Sequence, residues 1–266
     1  MTRTADTEAL LQRLDTRRRV IGALVIRELH TRFGRENLGF LWIFMEPVLL
    51  AVAVAALHGN YTLPISGNVQ PVPFALGGYI LFIMFRSVLS RAETLLEANR
   101  PLLYHRPVTL FDMLLARSLL EMVSTGAVLF FLLFAAQYLG LAEPIHDPLL
   151  VIFALILMSW FCFGLAMIIM AASHESSFVG RLIHPLLYLT LPISGAFYLL
   201  AWLPENVQRV AAWVPTVHIF ELLREGQFRD FASDRLDIAY PIVCSALLML
   251  AGYAAIRFVR PRIELQ

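Results

Sequence analysis

Six apolar runs, at residues 38–57, 74–89, 113–141, 149–172, 182–203 and 238–256, set the terms for this chain. A helix rises 1.5 Å per residue and needs roughly 20 apolar residues to cross a hydrocarbon core of about 30 Å. The run at 74–89 is the shortest and contains Arg86, so its helix is expected to continue out of the membrane through Arg91 and Glu97. Charged residues make up only 15% of the chain, against roughly a quarter in soluble domains. The expected fold class is an all-α integral membrane protein with six transmembrane helices. Residues 1–37 form a cytoplasmic lead and interface helix, and residues 38–266 form the membrane domain.

Arginine placement orients the spans, because basic residues are retained on the cytoplasmic side. With both termini inside, eight arginines precede residue 38, five lie in 86–117, one in 173–184 and three in the tail, which accounts for 17 of 21. The short outer loops 58–73 and 142–148 contain none. The first 37 residues are charged and lack a cleavable apolar leader, so the first span is expected to be the insertion signal. Cys162 and Cys244 fall inside apolar runs, where a core role is expected rather than a disulfide framework.

Every basic residue except the histidines is arginine. A phosphate-binding loop of the nucleotide-hydrolysing kind requires a lysine, so ATP-driven work would need a separate polypeptide. No HExxH, Cys/His cluster or GxSxG elbow occurs, and nothing in the sequence argues for an enzyme, a bound metal or a nucleic-acid partner.

Four segments carry polar residues in informative places. From Arg17 to Phe33, apolar residues recur at helical spacing opposite Arg27, Glu28, His30, Thr31 and Arg32, the pattern of a helix lying in the membrane interface. Gly34 then permits a turn into the first span, where Glu46 sits near mid-helix beside the helix-kinking Pro47. An intramembrane carboxylate faces a bundle interior or a wet cavity, either for function or paired to an arginine for packing. Phe40 and Trp42 fit two roles, interfacial anchors or a stacking surface for sugar rings. The inner link 91–112 is a helix interrupted by Pro101 and Pro107, with Asp112 placed to cap the third span, while Arg117 and Glu121 are spaced to pair on one helical face. Between the fifth and sixth spans, the patches 207–214 and 217–223 flank Pro215 and are each too short to cross a bilayer. Re-entrant or surface helices fit residues 204–236, with Glu205, Arg209, His218, Glu221 and Arg224 lining an exit.

The run RELHTRFGRENLGFLWIFMEP, from Arg27 to Pro47, resembles the start of the first span in inner-membrane permeases of ABC-type capsular polysaccharide exporters. A second block, Asn99, Leu102, Arg106, Val108, Asp112, Ala116 and Arg117, resembles the same family, as does WVPTVHIFELLREG at Trp213–Gly226. Glu46 directly before Pro47 favours the capsule branch over O-antigen export. The resemblance implies a half-transporter that pairs with a second copy of itself above two copies of a cytoplasmic ATPase, in the bacterial inner membrane. ATP and magnesium would be bound by that partner, and no cofactor by this chain. It further implies a lipid-linked, usually acidic polysaccharide as substrate, with a periplasmic co-polymerase and an outer-membrane export protein as further partners.

On that resemblance, the coupling segment is Asn99 with Leu102, Leu103, Tyr104, His105 and Arg106, and the periplasmic gate comprises Arg209, Trp213, His218, Glu221 and Arg224. Arg32 and Arg35 are candidates for the lipid-head phosphate, since guanidinium groups bind such anions bidentately, although inner-side arginines also follow from topology alone. Phe40, Trp42, Glu46 and Tyr79 are candidates for polymer contact. Competing expectations are an O-antigen or teichoic-type exporter, an ion-coupled secondary transporter using Glu46, and a scaffold for a polysaccharide synthase.

Overall fold

A computed structural model of the chain describes residues 2–33, 45–50, 52–53, 56, 69–96, 99 and 108–263, with side chains for all of these except 2–14, 32–33, 177 and 260–263. Among the described residues the regular structure is helical, without strands. Four helices among the described residues are long and apolar enough to cross a membrane: α2 (Pro71–Ala92), α3 (Leu110–Tyr138), α4 (Pro148–Glu175) and α8, whose stretch Ala239–Val259 qualifies. They correspond to the second, third, fourth and sixth runs of the sequence.

Local chemistry sets their ends. Pro71 and Pro73 open α2, where a missing N–H costs no helical hydrogen bond. Thr109 and Asp112 form a reciprocal capping box on α3: the Asp112 amide donates to Thr109 Oγ1, and the Thr109 amide donates to Asp112 Oδ2, each at 3.2 Å. Asp112 therefore completes the cap expected of it, from the third helical position. Asp147 accepts from the amides of Leu149 and Leu150 ahead of α4, and Asp237 does the same for Ala239 and Tyr240 ahead of α8 (Ala239–Ile263).

Helix α2 is the most deeply buried of these four and packs against α3, α4 and two later helices. Leu81, Met84 and Leu89 of α2 interleave with Leu114 and Leu129 of α3 and Met158, Cys162 and Met167 of α4, all fully buried or nearly so. Helices α4 and α8 cross through glycines. A Cβ on Gly252 would lie 2.7 Å from the Gly164 carbonyl oxygen, and one on Gly164 would lie 2.8 Å from the Met249 amide nitrogen. Lipid tails are as apolar as leucine, so close backbone approach of this kind supplies much of the association in a membrane.

The N-terminal segment forms one 32-residue helix, α1 (Thr2–Phe33), longer than the 17–33 periodicity suggests. Leu24 is buried, with Val20, Ile21 and Val25 packed beside it, while Ile26 and Leu29 face outward. The contact surface is α3. Of the first run, residues 45–50, 52–53 and 56 are helical, and the rest lies outside the described residues.

The fifth run departs from its expected form. Helix α5 covers Ser177–Thr190, 14 residues, or about 21 Å. Turns occupy 191–197, followed by a 3-10 turn at Leu200–Trp202. Hydropathy alone joins 182–203 into one span, but the segment Pro192-Ile193-Ser194-Gly195 contains a proline without an N–H and Gly195 at φ +93°, a left-handed conformation other residues rarely adopt. The two short patches then form α6 (Glu205–Ala211) and α7 (Pro215–Gln227), with Pro215 opening the latter.

Candidate functional site

Helix α2 carries Tyr79 and Arg86 two turns apart on one face, about 10 Å along the axis, and both converge on Glu46 of the first run. The Tyr79 hydroxyl donates to Glu46 Oε1 at 2.6 Å, and Arg86 Nη2 lies 3.7 Å from the same oxygen. Helix α5 closes the other side. Tyr188 presents its hydroxyl 3.4 Å from Arg86 Nη1, with its ring centroid 5.4 Å from the guanidinium carbon. Phe197, in the turn after α5, stands 6.2 Å from the Tyr79 ring. The ion pair is only partly covered, with the Arg86 and Glu46 side chains 30% and 37% exposed.

This cluster unites two of the expected polymer-contacting residues, Glu46 and Tyr79, and adds three that the sequence did not assign: Arg86, Tyr188 and Phe197. Arg86 carried the same signal as Glu46, a charge inside an apolar run. It was readable only as the end of a span because its partner lies 40 residues away in sequence.

A second cluster ties α7 to the turns after α5. Arg224, 1% exposed, donates from Nη1 to the Tyr198 carbonyl at 2.6 Å and from Nη2 to the carbonyls of Gly195 at 2.7 Å and Ala196 at 3.0 Å. It also donates to Glu221 Oε1 at 3.2 Å and covers the Phe74 ring, with its guanidinium carbon 4.3 Å from the centroid. Glu221 accepts in turn from the Leu200 amide at 3.2 Å. The pair thus satisfies backbone groups that the irregular 195–200 segment cannot pair within a helix. Helix α2 meets the same segment so closely that a Cβ on Gly78 would lie 2.0 Å from the Ala196 carbonyl oxygen.

His218 performs a related task. Its Nδ1 accepts from the Asp237 amide at 3.2 Å, leaving Nε2–H to donate to the Ala212 carbonyl at 2.8 Å, which fixes the neutral Nε2–H tautomer. His218, Glu221 and Arg224 are therefore buried in internal bonding rather than set along an open exit. Arg209 pairs with Glu205 at 2.7 Å on the surface, and Trp213 is 77% exposed.

A third cluster joins α1 to the opposite end of the bundle. Arg117 of α3 binds Glu28 Oε1 through both Nε and Nη2 at 2.8 Å and reaches the Arg91 carbonyl at 2.9 Å. Glu121 faces Arg91 at 3.7 Å. The local pairing expected of Arg117 and Glu121 gives way here to contacts between helices, since burial between α1 and α3 brings Glu28 Oε1 within reach of two guanidinium nitrogens. Arg27 donates to Asn99 Oδ1 at 2.8 Å, and the Asn99 amide nitrogen donates to the Leu95 carbonyl at 2.8 Å. Arg32 lies in the last turn of α1 by its backbone. The remaining candidates, Arg35, Phe40, Trp42, Leu102, Leu103, Tyr104, His105 and Arg106, lie outside the described residues.

Comparison with known proteins agrees along nearly the full length. The capsule polysaccharide export inner-membrane protein CtrC of Neisseria meningitidis serogroup A is 32% identical over 93% of this chain and 94% of its own. The capsule polysaccharide export inner-membrane protein BexB of Haemophilus influenzae is 32% identical over 98% of each chain. The polysialic acid transport protein KpsM of Escherichia coli is 28% identical over 89% of this chain and 92% of its own. The ABC-2 type transporter family matches residues 19–228, which run from the second half of α1 to the end of α7 and include all three polar clusters. The chain belongs to the ABC-2 type transporter family of membrane proteins.

Proposed function

We propose that this chain is the transmembrane subunit of an ATP-driven exporter that carries a lipid-linked, acidic capsular polysaccharide across the inner membrane. The observation that carries the reading is end-to-end similarity to inner-membrane proteins named for capsule polysaccharide export and polysialic acid transport. The absence of lysine points the same way, since ATP hydrolysis then falls to a separate subunit. Two copies of this chain would form the channel above two copies of the ATPase, which would hold ATP and magnesium. A periplasmic co-polymerase and an outer-membrane export protein would continue the route, and export of an O-antigen or teichoic-type polymer is the alternative substrate assignment.

In this reading the chain has six spans with both termini cytoplasmic. Residues 1–37 are its cytoplasmic lead and interface helix, and 38–266 its permease domain. The link 91–112 is the coupling element, with Leu102 to Arg106 seated in the ATPase and Asn99 anchoring it to α1 through Arg27. Residues 204–236 are the periplasmic gate, with Arg209 and Trp213 on its surface and the Glu221–Arg224 pair and His218 holding its shape. Arg32 and Arg35 receive the lipid-head phosphate, and Phe40, Trp42, Glu46 and Tyr79 line the polymer path.

Affinity purification of the tagged chain from its own membranes tests the assignment. A nucleotide-binding subunit should co-purify, its ATPase activity should depend on residues 102–106, and Arg32→Gln with Arg35→Gln should abolish surface polysaccharide while the complex still assembles. Purification without any ATPase would overturn the reading.

A further inference from the structure

We propose that Arg86 is the residue that recognises the anionic groups of the polymer inside the membrane domain, and that Glu46 is its resting counter-ion, displaced when the polymer arrives. The inference rests on the export reading above and names the chemistry of one site within it.

A charged pair within a spanning helix and open on one side is expensive against lipid, yet the Arg86 and Glu46 side chains are 30% and 37% exposed. Their open side therefore fits a water-filled or protein-lined path better than acyl chains. The pair is also loose. Its 3.7 Å separation and the 3.4 Å approach of Arg86 to the Tyr188 hydroxyl both exceed the 2.7–3.2 Å of an ordinary N–H···O bond. Glu46 makes its short bond, 2.6 Å, to Tyr79 instead. The contrast with Arg224 is direct, because both Nη nitrogens of that buried guanidinium are committed to three carbonyls and a carboxylate.

An incoming carboxylate or phosphodiester can take the Arg86 fork bidentately. Glu46 would remain tethered by Tyr79, close enough to reclaim the guanidinium once the anion moves on. The site would thus bind successive anionic groups without holding any of them. The rings of Tyr79, Tyr188 and Phe197 flank the pair, and aromatic faces suit the apolar faces of sugar rings. Together they present a recognition surface for a charged glycan.

The test uses the full-length protein in lipid nanodiscs, with an α2,8-linked octamer of sialic acid and neutral maltooctaose as probes, alongside complementation of a chromosomal deletion. Wild type should prefer the acidic octamer. Arg86→Gln should weaken that binding about tenfold without affecting maltooctaose and should lower surface polymer, Arg86→Lys should recover part of both, and Glu46→Gln should tighten acidic binding several-fold. Equal binding of the two probes by wild type, unchanged acidic binding in Arg86→Gln, or parallel loss of both probes would overturn the inference. A phosphate-bearing oligomer, teichoic acid fragments, run in parallel distinguishes carboxylate from phosphodiester preference. The deletion itself separates the two levels of argument. If it leaves surface polymer intact, the export reading fails; if it abolishes surface polymer and Arg86→Gln restores it fully, only the role of Arg86 fails.

Discussion

Replacing Arg224 with methionine removes a buried side chain that makes four hydrogen bonds, at little change in volume. The guanidinium is lost from the carbonyls of Gly195, Ala196 and Tyr198 and from Glu221, a carboxylate 1% exposed that keeps its bond from the Leu200 amide. Removing one member of a buried ion pair costs about 3–5 kcal/mol, mostly because the remaining charge is stranded. For a chain of this size roughly 2–4 °C of melting temperature follows each kcal/mol, so Arg224→Met should melt about 10 °C below wild type. The assay is intrinsic-fluorescence melting of the purified protein in nanodiscs. The double variant Glu221→Gln with Arg224→Met removes the stranded charge and should recover several degrees, a non-additivity expected of residues in contact. An Arg224→Met protein melting within about 2 °C of wild type would refute the claim that this pair holds the 195–200 segment against α7.

Further outcomes follow from close contacts elsewhere. Gly78→Ala should impair folding and membrane accumulation, because its Cβ would sit 2.0 Å from the Ala196 carbonyl oxygen, and limited proteolysis should show cleavage in the 191–203 turns. Gly164→Val should push α8 away from α4, where the Met249 amide nitrogen already lies 2.8 Å from the site of a Cβ, lowering the melting temperature more than Gly22→Val, where the space is open. Glu28→Gln should free α1 from Arg117 at a cost of about 1–2 kcal/mol, visible as faster hydrogen exchange in α1 with the exchange of α4 unchanged.

The spans that the sequence shows plainly are those whose apolar runs end in capping residues: Thr109 with Asp112, Asp147, and the prolines opening α2. Hydropathy and local caps suffice there because both act within a few residues of the helix. The fifth run is different. Its side chains are apolar throughout, so nothing in a hydropathy profile signals that Gly195 and Pro192 turn the chain and that Arg224, 29 residues beyond Gly195, satisfies the freed backbone. Charged residues in apolar surroundings are legible as functional candidates, and the structure brings Glu46 within hydrogen-bonding distance of Tyr79, each named separately among the candidates for polymer contact. Which partner each charge takes is a matter of tertiary distance. Arg117 shows this well, passing over the local geometry available to Glu121 to place two nitrogens on one oxygen of Glu28, 89 residues away.

In the proposed function this chain moves a finished polysaccharide outward. The most direct test compares intracellular and surface polymer, by sugar analysis of fractionated cells, in a strain lacking only this chain and in the same strain with the chain restored. Export predicts polymer accumulating inside, none at the surface, and reversal on complementation. Unchanged surface polymer, or the absence of polymer from both fractions, would contradict it, the latter pointing instead to a role in synthesis.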